Sequence, residues 1–123
     1  MNIILCKSKI HKARITECDI NYEGSLEINI DYMDKVGIHP YEKILVVNAT
    51  NGQRLETYAI PGPAGTPEFK LNGAAARKGT QGDMITIMSF GLFNETETEN
   101  FLPKIIVLDE ENKIVNEKGS LAK

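Results

Sequence analysis

Few residues of this chain combine a reactive type with a suggestive setting. A hydroxyl follows a flexible residue at Gly24-Ser25, inside the stretch Asn21-Tyr22-Glu23-Gly24-Ser25. One strand face carries Lys9 and His11, and a second strand carries Arg54, Thr57 and Tyr58. A turn at Asn72-Gly73 leads into Ala74-Ala75-Ala76. These types offer a hydroxyl nucleophile and cationic contacts for an acidic ligand, Arg54 being suited to a forked one. A Gly-Ser pair alone is weak evidence, because about one arises by chance at this length and Gly is the ordinary turn residue. Gly119-Ser120 is a second pair with nothing chemical around it. No Ser-His-Asp set is defensible, since His11 and His39 lack obvious partners, and no GxGxxG, phosphate loop or HExxH is present. Two His and two Cys without ligand spacing lead us to expect no metal site.

The frame is that of one ordinary globular domain. The 123 residues are 41% hydrophobic and 25% charged, enough for a real core. A net charge of -3 and a pI near 5.4 argue against nucleic acid or an anionic membrane as the main partner. No apolar run approaches the roughly 18 residues of a membrane span, and the opening Met1–Lys7 run is too short for a signal peptide. Cys6 and Cys18 suggest no disulfide framework, so a cytoplasmic protein with two plain thiols is expected.

Strand signals dominate the elements that must position the reactive residues. Ile3 to Thr16 reads as one long strand or two abutting ones, with Lys7, Lys9 and His11 on one side, about 7 Å apart. Glu27 to Ile30 is a short strand, and a small helix follows with Asp31 as N-cap and Gly37 as its stop. Lys43 to Asn48 is a strand that turns at Asn51-Gly52 into Gln53 to Ile60. On that return strand Arg54, Glu56 and Tyr58 face one way and Leu55, Thr57 and Ala59 the other. Residues 61–67 form a Pro/Gly loop, Phe69 to Leu71 enters the Asn72-Gly73 turn, and Ala74 to Lys78 makes a helical turn stopped by Gly79. Met84 to Phe90 is a buried strand, Asn94 to Asn100 an acidic loop, and Lys104 to Leu108 a last apolar strand against which Lys113 to Val115 could pair. The tail from Asn116 looks polar and frayed. Six or seven short strands with short helical turns indicate a small, mainly β barrel.

Taken together, Lys9-Ile10-His11-Lys12-Ala13, Tyr22-Glu23-Gly24-Ser25, Asn51-Gly52, Thr57-Tyr58-Ala59-Ile60 and Asn72-Gly73-Ala74-Ala75-Ala76-Arg77 resemble the aspartate 1-decarboxylase family in order and spacing. The likeness runs from about Leu5 to Phe90 and more loosely to Val115. The loop before Phe69 departs from it, since Gly62-Pro63-Ala64-Gly65 has no Arg where an Arg-Gly pair is common. The resemblance implies a double-psi β-barrel forming a homotetramer with sites between subunits. It also implies self-cleavage between Gly24 and Ser25, into residues 1–24 and 25–123, leaving a pyruvoyl group made from Ser25 as the cofactor. With that group the family turns L-aspartate into β-alanine and CO2 through a Schiff base, supplying pantothenate synthesis. Lys9, Arg54, Thr57 and the Gly73, Ala74 and Ala75 backbone are implied to bind substrate, Tyr58 to protonate the product and Thr57 to assist cleavage. His11, Tyr22 and Asn72 are implied supports, and a maturation factor is a possible further partner.

Each residue also has a plainer reading. Gly24-Ser25 would otherwise be a turn, Tyr58 a half-buried strand aromatic, Lys9 and Arg54 solvated charges, His11 a satisfied core histidine, and Ala74 to Ala76 a good helical turn. A β-barrel binding module that never matures, or a pyruvoyl enzyme for another amino acid, are the competing functions. Strict alternation puts Thr57 and Tyr58 on opposite faces. Both serve one reaction only in different steps, at a bulge, or in sites shared between subunits.

Overall fold

The longest strand organises the rest. In the computed structural model, which describes residues 1–122, β1 (Asn2–Arg14) is the edge-to-edge partner of β7 (Met84–Asn94) along nearly its whole length, antiparallel from Asn2↔Asn94 to Arg14↔Met84. Its other edge pairs in parallel with β8 (Lys104–Leu108). Inward residues such as Ile10 and Ala13 are fully buried while Lys9 and His11 take the other side. The ladder slips between Cys6 and Ser8, so Lys7 leaves the expected alternation and its Nζ lies 3.3 Å from the buried Ser8 Oγ. It slips again between Ile10 and Ala13, where Lys12 has φ +65, so a bulge turns the strand beside His11.

β2 (Glu17–Asp19), β3 (Leu26–Asn29), β4 (Lys43–Asn48), β5 (Arg54–Gly62), β6 (Phe69–Asn72) and β9 (Ile114–Gly119) complete a strand order of β2-β6-β3-β5-β4-β7-β1-β8-β9. The protein is mainly β, with nine strands among the described residues where six or seven were expected. β2 escaped notice because three residues, Glu-Cys-Asp, carry no apolar alternation. The tail from Asn116 is a strand, not frayed: β9 pairs antiparallel with β8, and the Ser120 amide donates to the Pro103 carbonyl. The β8–β9 turn is tied down by buried Asn112, whose side chain bonds the Arg14 main chain and the Pro67 carbonyl.

The hairpin between β4 and β5 turns through Asn51-Gly52, Gly52 at φ +78, as read from the sequence. The helix α1 (Ile30–Val36) ends at Gly37 in the left-handed conformation. Its N-cap is Asn29, not Asp31. Asn29 closes β3 and its Oδ1 accepts from the Tyr32 amide at 2.9 Å. Asp31 lies one residue inside the helix, where its charge suits the dipole, and accepts from the Gly65 amide at 2.8 Å. Residues Gly73–Lys78 form a 3-10 helix that runs into extended backbone at Gly79 rather than a left-handed cap.

β3 is parallel to β5 on one side and antiparallel to β6 on the other. Leu26 and Ile28 are buried in a core that includes Phe69, Leu71 and Ile87. No helix among the described residues is long and apolar enough to cross a membrane.

Candidate active site

The entry to β3 is where several of the reactive residues collect. Ser25 precedes β3 and is 0% exposed. Its carbonyl accepts from the Asn72 amide at 2.8 Å, which ties it to the end of β6. Its Oγ is buried with no hydrogen-bond partner among the described residues. Leaving a buried hydroxyl unpaired costs about 1–3 kcal/mol, and folding tolerates that here.

The neighbouring backbone is packed to the limit. A Cβ on Gly24 would lie 2.6 Å from Asn72 Cβ, closer than side-chain atoms approach. Gly73 has φ +63, and a Cβ there would stand 3.1 Å from the Tyr22 carbonyl oxygen and 3.2 Å from the Gly24 nitrogen. The residues before the Gly24-Ser25 bond therefore rest directly on the turn after β6. Gly73→Ala is expected to destabilise by about 1–3 kcal/mol and to push residues 22–24 outward. A lower melting temperature, with a change in any processing at Gly24-Ser25, would be read by thermal melts and a time course of denatured mass.

On the other side lies β5. The parallel register pairs Leu26 with Ala59. Continued by one and two residues, it sets Ser25 beside Tyr58 and Gly24 beside Thr57. A cleft of about 300 Å³ opens here, lined by Gly24, Leu55, Glu56, Thr57, Ala74, Ala75 and Lys78. That is the lower end of the range for small-molecule sites. The wider clefts, around Arg14 and around residues 114–122, contain none of the predicted site residues.

The chain thus unites Gly24, Ser25, Thr57, Asn72, Gly73, Ala74 and Ala75. Asn72 is buried, and Gly73 and Ala74 begin the 3-10 helix. Tyr58 alternates away from Thr57, is 42% exposed, and does not line the cleft. Tyr22 is exposed at the rim. Arg54 opens β5 on the exposed face, and neither it nor Lys9 is in an ion pair among the described residues. Lys9 and His11 are not brought to Ser25: in strand order β5, β4 and β7 stand between β3 and β1. Lys7 is occupied by Glu42 at 3.0 Å and the Gly37 carbonyl at 2.7 Å.

The cleft also contains a cation that sequence reasoning missed. Lys78 Nζ donates to Gln53 Oε1 at 3.1 Å, and its carbonyl accepts from the Asn48 and Asn51 side chains. The β4–β5 turn thereby braces the end of the 3-10 helix and one wall of the cleft. Only the pairing of these two segments could have revealed it. No His, Cys, Asp or Glu grouping able to hold a metal ion occurs among the described residues, and both cysteines are free thiols.

His11 Nδ1 lies 3.1 Å from Thr86 Oγ1. Burial first, and then the cations Lys9, Lys12 and Lys118, lower its pKa below the ordinary 6.5. Folding therefore disfavours the charged ring, and the neutral form is the one paired with Thr86 near neutrality. The sign follows from linkage: this contribution is full above the unfolded value and is lost as pH falls through the folded one. The fall in melting temperature from about pH 7.5 to about pH 5.5 should be shallower in His11→Gln. An identical slope in both proteins would contradict this.

Comparison with known proteins identifies the family. The sequence model of the family described as Aspartate decarboxylase matches residues 1–115. Aspartate 1-decarboxylase of Syntrophobacter fumaroxidans is 49% identical over 113 residues, covering 92% of this chain and 91% of that protein. The Carboxydothermus hydrogenoformans aspartate 1-decarboxylase is 48% identical over 118 residues, covering 96% and 93%. That of Moorella thermoacetica is 50% identical over 111 residues, covering 90% and 87%. The unpaired Ser25 hydroxyl, the glycine contacts around it and these matches over most of both chains lead to one conclusion: this chain belongs to the aspartate decarboxylase family.

Proposed function

We propose that the chain is a carboxy-lyase that converts L-aspartate into β-alanine and CO2, feeding pantothenate synthesis in the cytoplasm, with a pyruvoyl group formed from its own Ser25. The observation that carries the reading is the Ser25 Oγ, buried and unpartnered next to a glycine carbonyl. A hydroxyl kept from water and from other partners is a nucleophile with one neighbour to attack.

Ser25 Oγ adds to the Gly24 carbonyl carbon through a five-membered ring, and the C–N bond breaks as the amide becomes an ester. Loss of the Ser25 α-proton expels the Gly24 carboxylate, and one water then releases ammonia and leaves the ketone. Backbone strain of about 1–3 kcal/mol gives only about 5–150-fold in rate. An oxyanion donor, worth about 3–4 kcal/mol, must contribute at least as much. Thr57 is assigned that role, supported by its place beside Gly24 in the cleft.

The ketone supplies an electron sink for a bound amino acid as its α-carboxylate leaves. The residues of this chain do the rest. The Gly73, Ala74 and Ala75 backbone holds the substrate, and the small side chains leave it room. Tyr58 returns a proton to the carbon that has lost CO2. Lys9 and Arg54 supply positive charge for the acidic substrate, Arg54 by a forked contact. Lys9 and His11 lie strands away from Ser25 within one chain, so this reading places the working site between copies of the chain. A homotetramer of double-psi barrels, with Tyr22 and Asn72 as supports, is the assembly it requires.

The test is the denatured mass of purified protein with CO2 release from aspartate, glutamate and basic amino acids. Two pieces corresponding to 1–24 and 25–123, borohydride sensitivity and a preference for aspartate are expected. A single inert chain after prolonged warming would leave a binding module that never matures.

A further inference from the structure

Among the described residues, four that are not glycine have positive φ: Lys12, Tyr41, Asn100 and Asn112. Asn adopts this conformation readily. Lys12 sits at the β1 bulge. At Tyr41, with φ +68, residue type does not explain the conformation: a bulky aromatic there is an outlier that glycine or asparagine would relieve. Burial does not explain it either, since the side chain is 69% exposed.

The backbone around Tyr41 is held firmly. Its amide donates to the Ala59 carbonyl at 2.7 Å, and the Ala59 amide donates to the Glu42 carbonyl at 3.0 Å. Two residues thus oppose one on β5, the geometry of a bulge that re-aims a side chain. The loop leading in is locked as well: Glu42 accepts from the His39 amide and pairs with Lys7, which also bonds the Gly37 carbonyl. What the re-aimed ring meets is Tyr58, the residue just before the bridged Ala59. The two ring centroids are 6.4 Å apart at 43°.

We propose that Tyr41 is a positioning residue, whose ring confines the half-exposed Tyr58 side chain to one rotamer so that its phenol is aimed for proton delivery. The strained backbone is retained because it is the conformation that lays this ring on Tyr58. The inference rests on the assignment of Tyr58 as the proton donor.

Tyr41→Gly removes the ring and relieves the backbone together, so loss of function cannot be traced to new strain. It should cleave normally and lose about 3- to 10-fold in kcat, the size of one aromatic pair, with KM little changed. Tyr41→Phe keeps the ring and should restore kcat. A second readout needs no active enzyme. In uncleaved Ser25→Ala protein with labelled tyrosine, ring-to-ring contacts and a single Tyr58 rotamer are expected, and Tyr41→Gly should average that rotamer. Wild-type kcat in Tyr41→Gly, an equal loss in Tyr41→Phe, or an unchanged Tyr58 rotamer would each overturn the proposal. Full turnover by Tyr58→Phe would overturn it by another route, through the proton-donor assignment, and is told apart because the ring contacts in Ser25→Ala protein would persist.

Discussion

Ser25→Ala protein should emerge as one uncut chain of 123 residues, release no CO2 from aspartate, and melt no lower than the unprocessed wild type. The first two results follow from removing the only atom in the reading that attacks Gly24. The third follows from burial. Ser25 Oγ has no partner among the described residues, so its removal lifts a desolvation penalty of about 1–3 kcal/mol, offset by the small void left behind. Inactivity without loss of stability would mark Ser25 as a residue retained against the interest of the fold. Denatured mass, a CO2 assay and a thermal melt decide it. Cleavage that survives the substitution would move the scissile bond elsewhere.

Tyr58→Phe should give the opposite pattern, with complete cleavage and failed turnover. Tyr58 does not line the cleft that holds Gly24 and Thr57, so processing has no need of its hydroxyl. A positioned general acid contributes about 10²–10⁴-fold, and kcat should fall within that range while KM changes little. Mass analysis beside steady-state kinetics separates the two steps. Loss of cleavage would assign Tyr58 to maturation instead, and unimpaired kcat would remove it from the chemistry. With both outcomes, the alternation of Thr57 and Tyr58 would divide the labour of one strand between making the site and using it.

Local signals were legible, and long-range ones were not. Asn51-Gly52 and the Gly37 stop depend on the φ of single residues, which the sequence displays. The N-cap was misread because Asn29 and Asp31 both suit a helix start, and only the end of β3 decides between them. Asn116 to Gly119 looks unstructured because its order comes from pairing with Lys104 to Val107. At the site, Gly24-Ser25, Thr57 and the Asn72 turn were recognisable as motifs. Their meeting depends on β3 lying between β5 and β6. Lys78 gave no signal, since its place in the cleft is set by the 3-10 helix against the β4–β5 turn. Tyr41 gave none either, because nothing in its residue type announces a positive φ.

The proposed cut would also change the entity that results. Residues 1–24 contain β1, whose ladders with β7 and β8 lie in the other part of the chain. Under the proposed cut, the short segment is held without a covalent link, by those ladders, the β2–β6 pairing, the Thr16 and Ile15 backbone bonds to Phe69 and Asp83, and buried Ile10, Ala13 and Ile15. Unfolding then becomes dissociation, so the melting temperature should rise with protein concentration. Recovery after denaturation requires two fragments to find each other, and no ordinary refolding restores the severed bond. A chain cut as proposed would therefore persist by how slowly it falls apart, not by how well it renatures.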